Sequence, residues 1–176
     1  MNPTGNVTFL FTDIEGSTML AQEFPDSLPA AIEKHHAILN SAIESNNGFV
    51  FEIVGDAFCC AFENAEDAVK TAVDIQVNIA NEKWDKAVIK VRIGIHSGKA
   101  ERIGDKYFGY ITLARTARVM SVAYGEQILI SNDAYQLCRQ GSNSLRKDEN
   151  DPESFSLCLY REAGEFAVNF RDLGER

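Results

Sequence analysis

The sequence predicts an α+β fold with a ferredoxin-like β-α-β-β-α-β core, helices on one face of an antiparallel sheet, and an extra hairpin at the C-terminal end. Short β-prone apolar runs alternate along the chain with stretches of helical hydrophobic spacing. Two of these runs flank Gly55-Asp56, which predicts a tight hairpin. The length of 176 residues allows one sizeable core and is too short for two ordinary domains.

The individual elements can be assigned in chain order from apolar spacing and from Gly, Pro and Asn breaks. They are a strand over 6–12, a turn at 16–18 that leads into a helix, a helix over 28–46, a hairpin over 49–54 and 57–62, a helix over 64–84, a strand over 88–95, a hairpin arm over 101–103 and 106–108, a helix over 111–123, a strand over 128–130, a short helix over 131–138 and a final hairpin over 155–171.

Charge and composition narrow the classes of partner. The net charge is −9, from 17 basic and 26 acidic residues, which argues against nucleic-acid or anionic-membrane partners. No apolar run approaches the length of a membrane span and no signal peptide is visible, so a cytoplasmic location is expected. The four cysteines show no CxxC spacing and are interpreted as structural thiols.

Asp13 and Asp56 are the candidate metal ligands. Asp13 leaves an apolar run directly into the turn Gly16-Ser17-Thr18, and such a corner suits a metal ion beside a phosphate chain. The simpler interpretation is an Asp in a tight turn, with Ser17 or Thr18 as a helix N-cap. Asp56 lies at the predicted hairpin tip. If that hairpin pairs beside the first strand, the two carboxylates meet at one edge of the sheet, as a two-metal displacement requires.

Six segments in order carry a resemblance to a known family. The chain resembles the bacterial catalytic domains of class III nucleotidyl cyclases, which include adenylate and guanylate cyclases. Each string is weak evidence by itself, whereas several in the right order over one domain length are strong evidence. The segments are 9–18, 54–58, 91–98, 107–109, 117–120 and 125–131.

The resemblance implies a two-metal site that binds a nucleoside triphosphate. Asp13 and Asp56 match the metal-binding aspartates, with the Ile14 carbonyl as an added ligand for two Mg²⁺ or Mn²⁺ ions. The turn residues Gly16, Ser17 and Thr18 match the segment along the triphosphate. The implied reaction produces a 3′,5′-cyclic nucleotide and pyrophosphate by positioning and charge stabilisation.

The resemblance also implies a homodimer with two equivalent sites at its interface. Arg118 matches the arginine that stabilises the transition-state phosphate; the alternative is a solvated arginine on a helix face. Arg115 lies one helical turn earlier and is expected to assist or substitute. The arm near Gly104 and the helix after it are expected to face the partner.

The chain departs from the family pattern at the residues that read the base. Glu52 stands where adenylate cyclases usually have lysine and guanylate cyclases have glutamate. Lys106 or Tyr107, depending on the register, stands where the family usually has an aspartate. The usual asparagine of the transition state is replaced by Leu113 or Ala114, which cannot hydrogen-bond through their side chains.

Two functional interpretations follow from this pattern. The first is an active cyclase in signal transduction that uses a purine or a pyrimidine triphosphate. The second is a degenerate cyclase domain that binds nucleotide or a partner without turnover. The retained Asp13, Asp56 and Arg118 favour the enzyme. In either case residues 1–176 are expected to form one cyclase homology domain, complete or excised from a longer chain with regulatory domains outside it.

Overall fold

We describe a computed structural model, which defines residues 3–141, 160–162 and 165–169. The strands are β1 (Gly5–Ile14), β2 (Phe49–Val54), β3 (Ala57–Phe62), β4 (Val91–Ile103), β5 (Lys106–Phe108), β6 (Gln127–Ser131), β7 (Tyr160–Glu162) and β8 (Glu165–Asn169). The helices are α1 (Ser17–Glu23), α2 (Leu28–Ser45), α3 (Ala65–Asn81), α4 (Tyr110–Ser121) and α5 (Asn132–Gly141).

The predicted fold class is confirmed. The strand order is β2-β3-β1-β4-β6-β8-β7, with β5 paired to β4 as an arm, and the first four strands form the ferredoxin-like core. The pairs within that core are antiparallel, whereas β4 and β6 run parallel. The C-terminal hairpin is present as β7 and β8; the rest of its predicted span lies outside the described residues.

The two faces of the sheet are covered differently. Helices α2, α3 and α5 cover one face, where Leu10 and Ile93 belong to the main core cluster. Helix α4 packs on the other face. Its backbone approaches Gly94 of β4 so closely that an ideal Cβ on Gly94 would lie only 2.3 Å from the backbone nitrogen of Met120. The prediction that the helices lie on one face of the sheet is therefore wrong for α4, which packs on the opposite face. We call the sheet surface beneath α4 and β5 the α4 face.

Strand lengths differ from the sequence prediction at two places. Strand β1 extends to Ile14, since Asp13 still pairs with Arg92 of β4, so Asp13 lies within the strand and not beyond its end. Strand β4 begins at Val91, not at residue 88, and runs without a break into the arm. Its middle segment, which the sequence prediction left between two strands, pairs with the first half of β1 and is held there by ladder hydrogen bonds.

Candidate active site

The structure brings Asp13 and Asp56 to one edge of the sheet, as the sequence predicted. The backbone N–H of Ile14 donates a hydrogen bond to Oδ2 of Asp56 at 3.1 Å. The hairpin is fixed to β1 because the Phe58 N–H donates to the Thr12 hydroxyl at 3.1 Å. The Asp56 carboxylate therefore lies directly beside the chain segment that carries Asp13.

Arg92 is a site residue that the sequence analysis missed. Its Nε donates to Asp13 Oδ2 at 2.8 Å, and its Nη2 contacts the same oxygen. The two residues are cross-strand neighbours, and their side chains are 30% and 21% exposed. Arg92 and Gly94 are two residues apart on β4 and lie on the α4 face with Asp13, a placement that is visible only once the register of β1 and β4 is known. A cation and an accessible carboxylate thus stand together at the sheet edge.

The residues at this edge fit a divalent metal. Hard cations prefer carboxylate and carbonyl oxygens, and both aspartates supply the former. The N–H and C=O groups of a strand residue point to the same side, so the Ile14 carbonyl is expected on the side of β1 where its N–H meets Asp56. No group of three His, Cys, Asp or Glu side chains suited to a metal occurs in the described part of the chain. Main-chain oxygen, nucleotide or water would complete the ligand set.

The turn after β1 leaves open space beside these carboxylates. Gly16 has φ of 67° and ψ of 27°, and an ideal Cβ at this residue would meet nothing within 4 Å. Gly16 is the N-cap of α1 and has no side chain to cap it, so the first N–H groups of the helix, including those of Ser17 and Thr18, have no intrahelical acceptor. This turn can accept an anion at its backbone without steric obstruction.

A β-bulge directs Glu52 toward the same face as Asp13. The register between β2 and β3 shifts after Val50, so Glu52 pairs with Cys59, whose side chain packs on the α4 face. Burial and then the Glu52 carboxylate raise the pKa of the Cys59 thiol to about 12. The sequence analysis missed this bulge. From strand spacing and residue rise, the Cα atoms of Glu52 and Asp13 lie roughly 12 Å apart.

Tyr107 and Lys106 have different environments. The Tyr107 ring packs in T-shaped geometry against Phe9 and Phe51, with centroids 5.3 and 5.0 Å away, and its hydroxyl donates to the Pro3 carbonyl at 2.9 Å. Tyr107 is thus a buried core residue, whereas Lys106 is exposed. This placement favours Lys106 over Tyr107 as a residue that contacts a nucleobase. No ion pair joins Lys106 to Glu52 within the described residues.

Arg115 does not point to the two aspartates of its own chain. Its Nη1 lies 3.9 Å from Oδ2 of Asp133, and the same oxygen lies 3.8 Å from Nδ1 of His96. His96 stands four residues along β4 from the position opposite Asp13, a separation of roughly 13 Å. Arg115 therefore belongs to a cluster with His96 and Asp133 beside the middle of α4.

Arg118 is exposed in the last turn of α4. Among the residues that the structure describes, no hydrogen bond or ion pair joins its side chain to Asp13 or Asp56. Leu113 is half-buried on the α4 face and Ala114 lacks a polar side chain, so α4 supplies no amide donor at these positions. One chain therefore presents the carboxylate pair without an arginine from α4.

An apolar surface lies at the arm and at the start of α4. Ile103, Phe108, Tyr110 and Ile111 are each more than half exposed. Adjacent apolar residues of this size are unusual on the surface of a soluble monomer. The surface is the structural candidate for contact with another chain.

Comparison with known proteins identifies the family. The model of the adenylate and guanylate cyclase catalytic domain matches residues 1–155. An uncharacterized Mycobacterium tuberculosis protein is 37% identical over 131 residues, which are 73% of this chain and 44% of that protein. The adenylate cyclase of Lachancea kluyveri is 30% identical over 157 residues, which cover 74% of this chain and 8% of that enzyme.

A solved structure supports the same assignment. An adenylate cyclase from Trypanosoma brucei, described in its monomeric state, superposes with a TM-score of 0.70 at 29% identity and with 77% of each chain covered. The chain belongs to the adenylate and guanylate cyclase catalytic domain family. It spans less than half of the length of the curated relatives above. In the described part of the chain, no helix has the length and apolarity needed to cross a bilayer.

Proposed function

We propose that this domain is a nucleotide cyclase that converts a nucleoside triphosphate into a 3′,5′-cyclic nucleotide and pyrophosphate at a site shared by two copies of the chain. The observation that carries the proposal is the Asp56–Ile14 hydrogen bond, which holds both aspartates at one sheet edge. Cytoplasmic location and a role in signal transduction are parts of the same proposal. They rest on family membership.

Asp13, Asp56 and the Ile14 carbonyl would hold two Mg²⁺ or Mn²⁺ ions. When bound, these ions supply Lewis acidity for the ribose 3′-hydroxyl and neutralise charge on the leaving phosphates. The chain itself orients the two carboxylates through the β1–β3 pairing and the Ile14 N–H. Gly16 leaves room for the triphosphate, and the backbone N–H groups of Ser17 and Thr18 bind its oxygens.

Arg92 supplies positive charge on the same chain. Its guanidinium pairs with Asp13, and its planar set of N–H donors would also suit the phosphate oxygens of a nucleotide bound there. Because the net charge of the chain is −9, a local cation is needed to attract a polyanion.

Arg118 is proposed to act in the site of the partner chain. It is exposed and has no contact with the aspartates of its own chain within the described residues. A head-to-tail dimer would cover the apolar surface formed by Ile103, Phe108, Tyr110 and Ile111, and it would bring α4 of each chain toward the other's carboxylates. Arg115 would assist from the same helix.

Base recognition is proposed to involve Glu52 and Lys106. Glu52 can accept hydrogen bonds from the N1–H and 2-amino group of guanine, and adenine offers no such pair of donors on that edge. Lys106 adds an exposed donor on β5, which is adjacent to β2 through the Phe51–Tyr107 ring contact. A guanine base fits this pair best; adenine in another pose and a pyrimidine are the alternatives.

The test is turnover of each of the four ribonucleoside triphosphates with manganese, with products identified by mass spectrometry. Asp56→Asn is the matched control, because the amide oxygen still accepts from Ile14 N–H while the negative charge for metal is lost. A cyclic product that depends on Asp56 is expected. No product from any triphosphate, at a concentration where the protein is dimeric, would contradict the proposal.

The second candidate function is nucleotide or partner binding without turnover. It is favoured by Leu113 and Ala114, which lack the hydrogen-bonding side chain expected on α4. Loss of one transition-state donor slows catalysis by about ten- to a thousandfold and does not by itself abolish it. Manganese-dependent nucleotide binding without a product would support this candidate.

A further inference from the structure

Glu15 connects two elements that the proposed mechanism leaves unrelated. It lies between Ile14 and Gly16, the residues proposed to contact metal and triphosphate. Its own N–H donates to the Lys90 carbonyl at 2.9 Å, and its carboxylate Oε1 accepts the N–H of Gly125 at 3.0 Å. Gly125 belongs to the turn between α4 and β6. One exposed residue is thus fixed to the start of β4 and to the end of α4.

The backbone at Gly125 passes close to the side chains of Glu15 and Lys90. An ideal Cβ on Gly125 would lie 2.7 Å from Oε2 of Glu15 and 2.8 Å from the Lys90 Cβ. The neighbouring residue Glu126 strengthens the same junction, since its N–H donates to the Val91 carbonyl at 2.9 Å and its carboxylate lies 3.4 Å from Lys90 Nζ. The turn is therefore held to the start of β4 through Glu126 and to the end of β1 through Glu15.

This junction lies just beyond the C-terminal end of α4. Helix α4 ends at Ser121, four residues before Gly125, and Arg118 occupies its last turn. A shift of this turn would be transmitted first to the last turn of α4, which carries Arg118. In the proposed dimer, the carboxylates beside Glu15 serve one site and Arg118 of the same chain serves the other.

We infer that Glu15 is a positioning residue that couples the two sites of the dimer by holding the α4–β6 turn to the metal-bearing end of β1. This inference rests on the proposed function. The Glu15 carboxylate also stays away from the metal ions because it is bound to Gly125, so the site is not given a third, competing carboxylate. Nucleotide bound at Gly16 would act on Arg118 of the other site through this hydrogen bond.

The experiment uses mixed dimers with one intact site. A dimer of an Asp56→Asn chain and an Arg118→Ala chain has a single site, with carboxylates from the Arg118→Ala chain and the arginine from the Asp56→Asn chain. Glu15→Ala is then introduced on one chain at a time, with Glu15→Gln as the matched control that keeps the hydrogen-bond acceptor. Turnover and the melting temperature of each mixture are measured.

Glu15→Ala on the Asp56→Asn chain is expected to lower turnover roughly tenfold, because the arginine of the working site is displaced. Glu15→Gln on that chain should retain turnover near the parent mixture. A loss confined to Glu15→Ala on the Arg118→Ala chain would overturn the inference, because Glu15 would then act only beside its own metal site. Equal turnover for all variants would overturn it as well.

Failure of the proposed function is recognised separately. If the parent mixture and the wild type make no product, the cyclase proposal fails. The Glu15–Gly125 hydrogen bond, which the inference depends on, is then tested by amide hydrogen exchange at Gly125. Faster exchange in Glu15→Ala than in Glu15→Gln supports the hydrogen bond as the element that holds the turn. Identical exchange in the two variants overturns the inference.

Discussion

The Arg92 guanidinium lies on the Asp13 carboxylate, with Nε 2.8 Å from Oδ2, across the antiparallel pair of β1 and β4. The register of the two strands places them opposite each other on the α4 face. A proposed metal ligand is therefore paired with a cation. The positive charge of Arg92 opposes the binding of a metal cation to the same carboxylate.

We predict that Arg92→Gln raises the affinity of the nucleotide-free protein for Mn²⁺ by a few-fold. The gain is modest because both side chains are partly exposed and the pair is weakened by solvent. Turnover should fall in the same variant, since a cation beside the phosphates is lost. Calorimetric titration with Mn²⁺ and steady-state kinetics measure the two effects. Arg92→Lys, which keeps the charge, is the control, and equal Mn²⁺ affinity in all three proteins would contradict the prediction.

Variants of Tyr107 and Lys106 should have different effects, the first on the free energy of unfolding and the second on base selection. Tyr107→Phe removes the hydrogen bond to the Pro3 carbonyl and is expected to cost about 1 kcal/mol of the free energy of unfolding, with base preference unchanged. Lys106→Glu should leave stability unchanged and lower kcat/KM for the preferred triphosphate by roughly tenfold or more. Urea unfolding and competition among the four triphosphates measure these effects. A change of base preference in Tyr107→Phe would show that the assignment of Lys106 is wrong.

His35 should make the fold sensitive to acid. Its ring is fully buried on α2, neither ring nitrogen has a hydrogen-bond partner within the described residues, and burial followed by proximity to His36 lowers its pKa from 6.5 to about 4. The unfolded chain binds the proton first as pH falls. Stability is therefore complete above about pH 6.5 and is lost progressively down to about pH 4, by about 3 kcal/mol in total.

The check is the pH dependence of unfolding in His35→Leu. This variant should lose the His35 contribution and have a flatter profile between pH 6.5 and 4 than the wild type. His36→Leu, on the same helix and half-buried, removes only the smaller cause of the lowered His35 pKa, so its profile should remain steeper than that of His35→Leu. Parallel profiles for wild type and His35→Leu would contradict the buried neutral imidazole.

Much of the fold and part of the site could be predicted from sequence because local signals carry them. The hairpin tip at Gly55-Asp56 and the alternation of strands and helices were predictable from turn residues and apolar spacing. Arg92, the direction of Glu52 and the Glu15–Gly125 contact depend on cross-strand register, where one residue decides the face. Covering of the second face by α4 depends on small residues such as Gly94, whose significance is visible only once the strand is paired.

The most direct test of a shared active site is complementation between two inactive variants. Asp56→Asn removes a proposed metal ligand and Arg118→Ala removes the proposed transition-state arginine, and each purified alone should make little product. In an equal mixture, half of the dimers contain one of each chain and have one intact site of two, so turnover should recover to about a quarter of the wild-type value. Mixtures that stay as inactive as the separate variants, with subunit exchange demonstrated, would contradict a site built from two chains.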